Sequence, residues 1–195
     1  MNLHYFITFS SRGSGVCRSL FLRTFMVMML FITGSNGIYA GVDGERTITV
    51  DGKTRKYWLY VPASVEGKEN VPVVFSLHGR YGTDDPNDPG KPLFTSLAKE
   101  KNFIVVYPQG RNAGSDQDKA DYPGDDWKEG FGGTTGWEAT GKENADTKFI
   151  KALVDKIQDD YKTKNASNSY ISVDPKRFYL CGFSMGGMMT YACAK

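Results

Sequence analysis

Histidine is scarce here: the 195 residues include two, His4 and His78. Cysteine is nearly as rare, at positions 17, 181 and 193, and no C-x-x-C pair occurs. Such an inventory gives a zinc centre no support, and no metal or cofactor is expected. Charge of one sign is also lacking. The net charge is +2, and the first forty residues carry Arg12, Arg18 and Arg23 with no acid. Beyond residue 40, 21 basic residues face 22 acidic ones. A body this close to neutrality offers no electrostatic footing for nucleic acid or an anionic membrane. Long apolar runs are missing as well. The run Phe25–Ile32 falls far short of the ~20 apolar residues of a spanning helix, so no stable membrane anchor is expected.

That run reads instead as part of an export signal. Arg18 and Arg23 precede it, small and polar residues follow, and Ile38-Tyr39-Ala40 offers a small residue before Gly41. The pattern predicts a signal peptide over residues 1–40 and a secreted protein, extracellular or periplasmic. The alternative is an uncleaved anchor or a misassigned start. Cys17 would leave with the signal. Cys181 and Cys193 read first as small buried apolar residues; a disulfide across the turn between them is geometrically doubtful.

From Arg46 the chain alternates apolar and polar residues through Val50. Asp51-Gly52 supplies a turn, and alternation resumes over Arg55–Val61, which predicts a hairpin. Val71–Leu77 and Phe103–Tyr107 are continuous apolar runs that fit strands buried on both faces. Helical spacing marks Leu93–Glu100. It marks the segment from Asn144 more strongly, where Phe149, Ile150, Leu153, Val154, Ile157 and Tyr161 share one face. A long segment rich in glycine, aspartate and aromatics separates them, from Gln109 to about Lys142. Asp174-Pro175 is expected to turn the chain into a last strand. Strands alternating with helices argue an α/β fold, a mostly parallel sheet with helices on both faces.

The last strand, Arg177–Cys181, runs into Gly182-Phe183-Ser184-Met185-Gly186-Gly187. This is the G-x-S-x-G pattern, a strand-to-helix turn so sharp that the serine sits strained at its apex. Gly182 and Gly186 flank the serine because a Cβ at either site would crowd the turn. The turn presents the Ser184 hydroxyl as a nucleophile and frees the Met185 amide to donate to an oxyanion. A second donor should come from the loop after the third strand, His78-Gly79-Arg80, where Gly79 permits close approach and the Arg80 amide is the candidate. The bland alternative is a glycine-rich turn that happens to hold a serine.

The assembled pattern resembles the α/β-hydrolase fold. More closely, it is similar to the secreted esterase group of feruloyl esterases, acetylxylan esterases and poly(3-hydroxybutyrate) depolymerases. The matching points are Tyr57–Pro62, Leu77-His78-Gly79, Val106–Gly110, Asp146 at the head of the long helix, and Val173-Asp174-Pro175 leading to the elbow. The resemblance covers about residues 46–195. It implies a serine carboxylic-ester hydrolase acting on plant-polysaccharide esters, with a carbohydrate-linked ester as partner. It also implies that His78 shapes the oxyanion loop and takes no proton from Ser184. Arg80 departs from the small residue or cysteine frequent at that point in similar proteins, which narrows the pocket or adds a carboxylate contact.

In that fold the triad acid and base follow the nucleophile. Eleven residues follow Ser184, and none is Asp, Glu or His. A serine without a base is a poor nucleophile. The expectation is therefore the N-terminal part of a catalytic domain over 41–195, truncated after the elbow and barely active alone. Trp127, Phe131 and Trp137, with Tyr122, either stack on a sugar or hydroxycinnamoyl ring or pin the long loop to the body. Asp116–Asp126 reads as a solvated face, with weak calcium binding as the alternative. A polyester depolymerase, a serine peptidase and an inactive binding relic are the competing functions.

Overall fold

A computed structural model describes residues 41–88, 91, 93–112, 135–139 and 143–194. The signal-like residues 1–40 lie outside the described residues, as do Tyr122, Trp127, Phe131 and the stretch Asp116–Asp126.

β1 (Val42–Val50) and β2 (Lys53–Val61) form the expected hairpin, in register from Val42 opposite Val61 to Val50 opposite Lys53. Asp51 and Gly52 turn it with φ of 49° and 77°, the left-handed pair that matches the twist of the flanking strands. Next come β3 (Val71–Leu77), α1 (Thr95–Lys101), β4 (Ile104–Pro108), β5 (Arg111–Asn112) and β6 (Thr135–Gly136). The described chain closes with α2 (Ala145–Asp160), β7 (Val173–Gly182) and α3 (Met185–Cys193).

Among the described residues, five strands make one sheet, in the order β1-β2-β4-β3-β7. β3 lies between β4 and the strand that leads to the elbow. The sheet is not mostly parallel, however. β1–β2 and β2–β4 pair antiparallel, while β4–β3 and β3–β7 pair parallel, so the sheet is mixed. Connection type explains the split. A parallel neighbour needs a crossover long enough to return the chain, which α1 and α2 supply, whereas the link from β2 to β3 holds only a single 3-10 turn. β5 and β6 form a separate two-stranded ribbon.

Asp174-Pro175 does not precede β7 but lies inside it. Pairing jumps from Val71–Val173 to Val73–Phe178, so the intervening residues bulge out of the ladder. Pro175 has no amide to give, and a bulge is where a strand tolerates it.

Alternation sorts the core onto both faces. Tyr57, Leu59, Val73, Phe75, Leu77, Ile104 and Val106 face α2, which buries Phe149, Ile150, Leu153 and Ile157 against them. Full burial of such side chains contributes roughly 1.5–3 kcal/mol each. Tyr60, Val105 and Tyr107 point to the other face and meet Ala98 of α1 and Phe103. The expectation of helices on both faces therefore holds.

Among the described residues, β7 has β3 on one side and no strand on the other. Tyr179 on that edge is 52% exposed. A groove of about 780 Å³ runs between α2, β7 and the end of α3, with Phe75, Ile150, Val154, Phe178, Leu180 and Cys193 in its lining. An unpaired edge beside an apolar groove is a template for intermolecular strand pairing. Residues 41–195 should therefore elute from size exclusion above the monomer position, and Tyr179→Lys should raise the monomer fraction. A monodisperse monomer with a sharp cooperative melt would contradict this account of the edge.

Candidate active site

The turn after β7 has the strain that its sequence predicts. Ser184 adopts φ 51° and ψ −117°, a region open to glycine that a serine enters at a cost of roughly 1–3 kcal/mol. The surroundings enforce it. The Phe183 amide donates to the Leu77 carbonyl at 3.1 Å, and the Gly186 amide to Phe183 O at 2.9 Å. A Cβ on Gly182 would overlap the backbone of Gly186, and one on Gly186 would overlap the carbonyls of Leu77 and His78. Two backbones can approach this closely only where both flanking residues are glycine. Ser184 is exposed and stands at the N-cap of α3, yet its side chain makes no capping bond. The Met185 amide begins the helix, among the first-turn N–H groups that have no intrahelical acceptor.

The carbonyls under Gly186 belong to the end of β3 and the start of the loop carrying Gly79 and Arg80. The turn and that loop are thus in direct backbone contact. Arg80 is exposed and Gly79 buried. His78 is buried, and both its ring nitrogens are engaged. Nδ1 lies 2.6 Å from Gly79 O, and Nε2 accepts from the Gly110 amide at 2.9 Å. This fixes the tautomer: the proton is on Nδ1 and the lone pair on Nε2. Burial pushes the His78 pKa down to about 4, with the nearby Lys91 charge adding to the effect. Both ring nitrogens are thus committed to backbone partners.

Trp137, left open between a stacking platform and a pin for the long loop, is 1% exposed. Its indole Nε1 donates to His78 O at 2.8 Å, its ring lies 5.0 Å from the imidazole, and its amide meets Met185 Sδ at 3.2 Å. It pins the turn to the loop from within. Cys181 and Cys193 are free thiols.

Sequence reasoning marked Asp146 but missed what it holds. Asp146 is fully buried at the head of α2. Its Oδ1 accepts from Arg55 Nη2 at 2.7 Å, and its Oδ2 accepts from the Glu138 amide at 2.7 Å. Arg55 also reaches Gln109 O at 3.2 Å and lies over the Phe149 ring at 4.1 Å. Arg111 bonds Glu138 Oε2 at 2.7 Å and approaches Asp146 Oδ2 at 3.7 Å. Asn144 caps α2, accepting from the Asp146 and Thr147 amides. An apolar-looking strand interrupted by an inward arginine at position 55 was the available signal.

No family model matches the chain. Over 141 residues it is 31% identical to a bifunctional acetylxylan esterase/xylanase of Neocallimastix patriciarum, covering 72% of this chain and 16% of that protein. Over 185 residues it is 25% identical to a probable feruloyl esterase C of Aspergillus flavus and 24% identical to one of Aspergillus niger. Those matches cover 91% of this chain and 56% of each relative, so the chain spans about half their length.

Two outcomes follow for stability. Asp146→Ala leaves the Arg55 guanidinium buried without its carboxylate and should cost roughly 3–5 kcal/mol in urea unfolding; a loss under 1 kcal/mol would mean that the pair is dispensable. His78 is protonated near pH 6.5 when unfolded and near pH 4 when folded, so between these values the unfolded state binds more protons. Stability should therefore rise with pH across that window, by about 3 kcal/mol. His78→Asn should flatten the rise, and an equal slope in both proteins would refute the neutral buried imidazole.

Proposed function

We propose that this chain is the nucleophile-bearing part of a serine carboxylic-ester hydrolase of the α/β-hydrolase type, acting on feruloyl or acetyl esters of plant polysaccharides. The observation that carries the reading is Ser184 at φ 51° and ψ −117°, exposed at a strand-to-helix turn whose glycines rest on the Leu77 and His78 carbonyls. The acetylxylan and feruloyl esterase names of the relatives supply the substrate class. On this reading residues 1–40 direct export and residues 41–195 belong to the catalytic domain. No helix among the described residues is long and apolar enough to cross a membrane.

The Ser184 oxygen attacks the ester carbonyl, and negative charge collects on the former carbonyl oxygen. The Met185 and Arg80 amides receive that charge in the assigned roles. The tetrahedral adduct expels the sugar alcohol and leaves an acyl group on Ser184, which water then removes. Each half-reaction needs a base to take a proton and return it to the leaving group. His78 is committed to Gly79 and Gly110. The base and its orienting acid are therefore assigned to chain beyond this sequence.

The test has two arms. The 195-residue chain should hydrolyse p-nitrophenyl acetate no faster than its Ser184→Ala variant. In a longer form that supplies an Asp and a His after the turn, Ser184→Ala should leave only residual activity, with release of ferulate or acetate from arabinoxylan as the readout. His78→Ala should lower that rate less. Ser184-dependent turnover by the short chain, or equal near-total losses in both variants of the long one, would overturn these roles.

A further inference from the structure

Gln109 leaves β4 directly after Pro108, and hydrogen bonds hold both ends of its side-chain amide. Oε1 accepts from the Asp84 amide at 3.0 Å. Since Asp84 N can only donate, this bond fixes which end of the amide is oxygen. Nε2 then donates to Gly110 O at 3.0 Å and lies 3.3 Å from His78 Nε2. Two N–H groups, from Gly110 and Gln109, converge on one imidazole lone pair. The main chain of Gln109 is held too, its amide donating to Lys56 O at 3.0 Å and its carbonyl accepting from Arg55.

The segment that Gln109 grips through Asp84 is the return of the loop that begins at His78. Lys91 secures the same segment from another direction. It is buried, donates to Thr83 O at 2.8 Å and to Asp85 O, and its ammonium lies 5.2 Å from the centre of the Tyr107 ring.

We propose that Gln109 is a positioning residue for the His78–Arg80 loop: its amide holds the imidazole lone pair on one side and the Asp84 backbone on the other, fixing both ends of the loop against β4. The proposal rests on the preceding reading only in taking that loop as an oxyanion donor. The bonding logic stands apart from it. Protonating His78 Nε2 would place an N–H against two others, so the donor pair excludes the imidazolium. Substituting an acceptor for the Gln109 donor reverses that preference. The charges acting on the ring are Lys91 and Asp88 of the loop and Asp146 at the head of α2, and none of them changes in the variants below.

The experiment follows the His78 C2 proton by exchange with deuterium across pH and mass spectrometry on the full chain, which self-association does not prevent. The wild-type midpoint should lie near 4. Gln109→Glu presents an oxygen to Nε2 and should raise the midpoint by at least about one pH unit. Gln109→Met keeps the volume without the donor. It should move the midpoint less, while amide exchange over residues 80–85 accelerates about tenfold and β3 stays protected. Wild-type midpoint and loop exchange in both variants would overturn the proposal. If Gln109→Glu unfolds, seen as lost protection of β3, the methionine variant decides alone, and unchanged loop exchange there refutes the role. Neither readout involves ester turnover, so the absence of hydrolysis would count against the functional reading and leave this one standing.

Discussion

A carboxylate with no access to water holds the site together. Asp146 is buried, and a charge taken out of water is tolerated only when its oxygens are occupied. One occupant comes from distant chain, Arg55 of β2, and the other from the Glu138 amide eight residues earlier, beside Trp137. Arg55 then passes the constraint to Gln109 through its carbonyl. The result is that the segment after β4 is fixed on one side by a buried ion pair and on the other offers the Gly110 amide to His78. Removing Asp146 would therefore do more than weaken one contact, because the placement of the imidazole depends on where Gly110 lies.

The strain at Ser184 is sustained by the same chain of dependence. An unfavourable φ persists only where neighbours over-determine it. Here the Phe183 amide is taken by Leu77, Gly186 has room only for hydrogen, and Met185 is packed from behind by Trp137. Trp137 in turn bonds His78 O. Turn, loop and ion-pair network thus form one connected unit, and the exposed serine is a strained member of it.

Much of this was legible because local physics decides it. The Asp-Gly hairpin, the alternation on β2, the helical face of α2 and the glycines around Ser184 are each written in a few adjacent residues. The order β4-β3-β7 was legible only through the resemblance, since β7 comes after β4 in the chain yet pairs with β3. The antiparallel seam between β2 and β4 was not, because a strand's pattern records which faces are buried and not the direction of its partner. The bulge at Asp174–Arg177 escaped for a related reason: Pro175 reads locally as a boundary, and only the pairing of Val173 with Val71 shows the strand beginning earlier. Arg55–Asp146 and Gln109–His78 join residues far apart in sequence, and neither partner alone announces the other. Trp137 was left open between surface and interior because composition cannot say which side of a loop faces the body.

The proposed chemistry also restricts where a base can stand. Ser184 lies at the end of β7, and on the β3 side the space is taken by the loop carrying His78, Gly79 and Arg80. Beneath it Trp137 fills the interior, and α3 runs away from it behind Met185. On the other side β7 has no strand partner among the described residues. A general base must stand within hydrogen-bond reach of the proton it takes. An element pairing with that edge would bury Tyr179 and the groove beside Phe178 and Leu180.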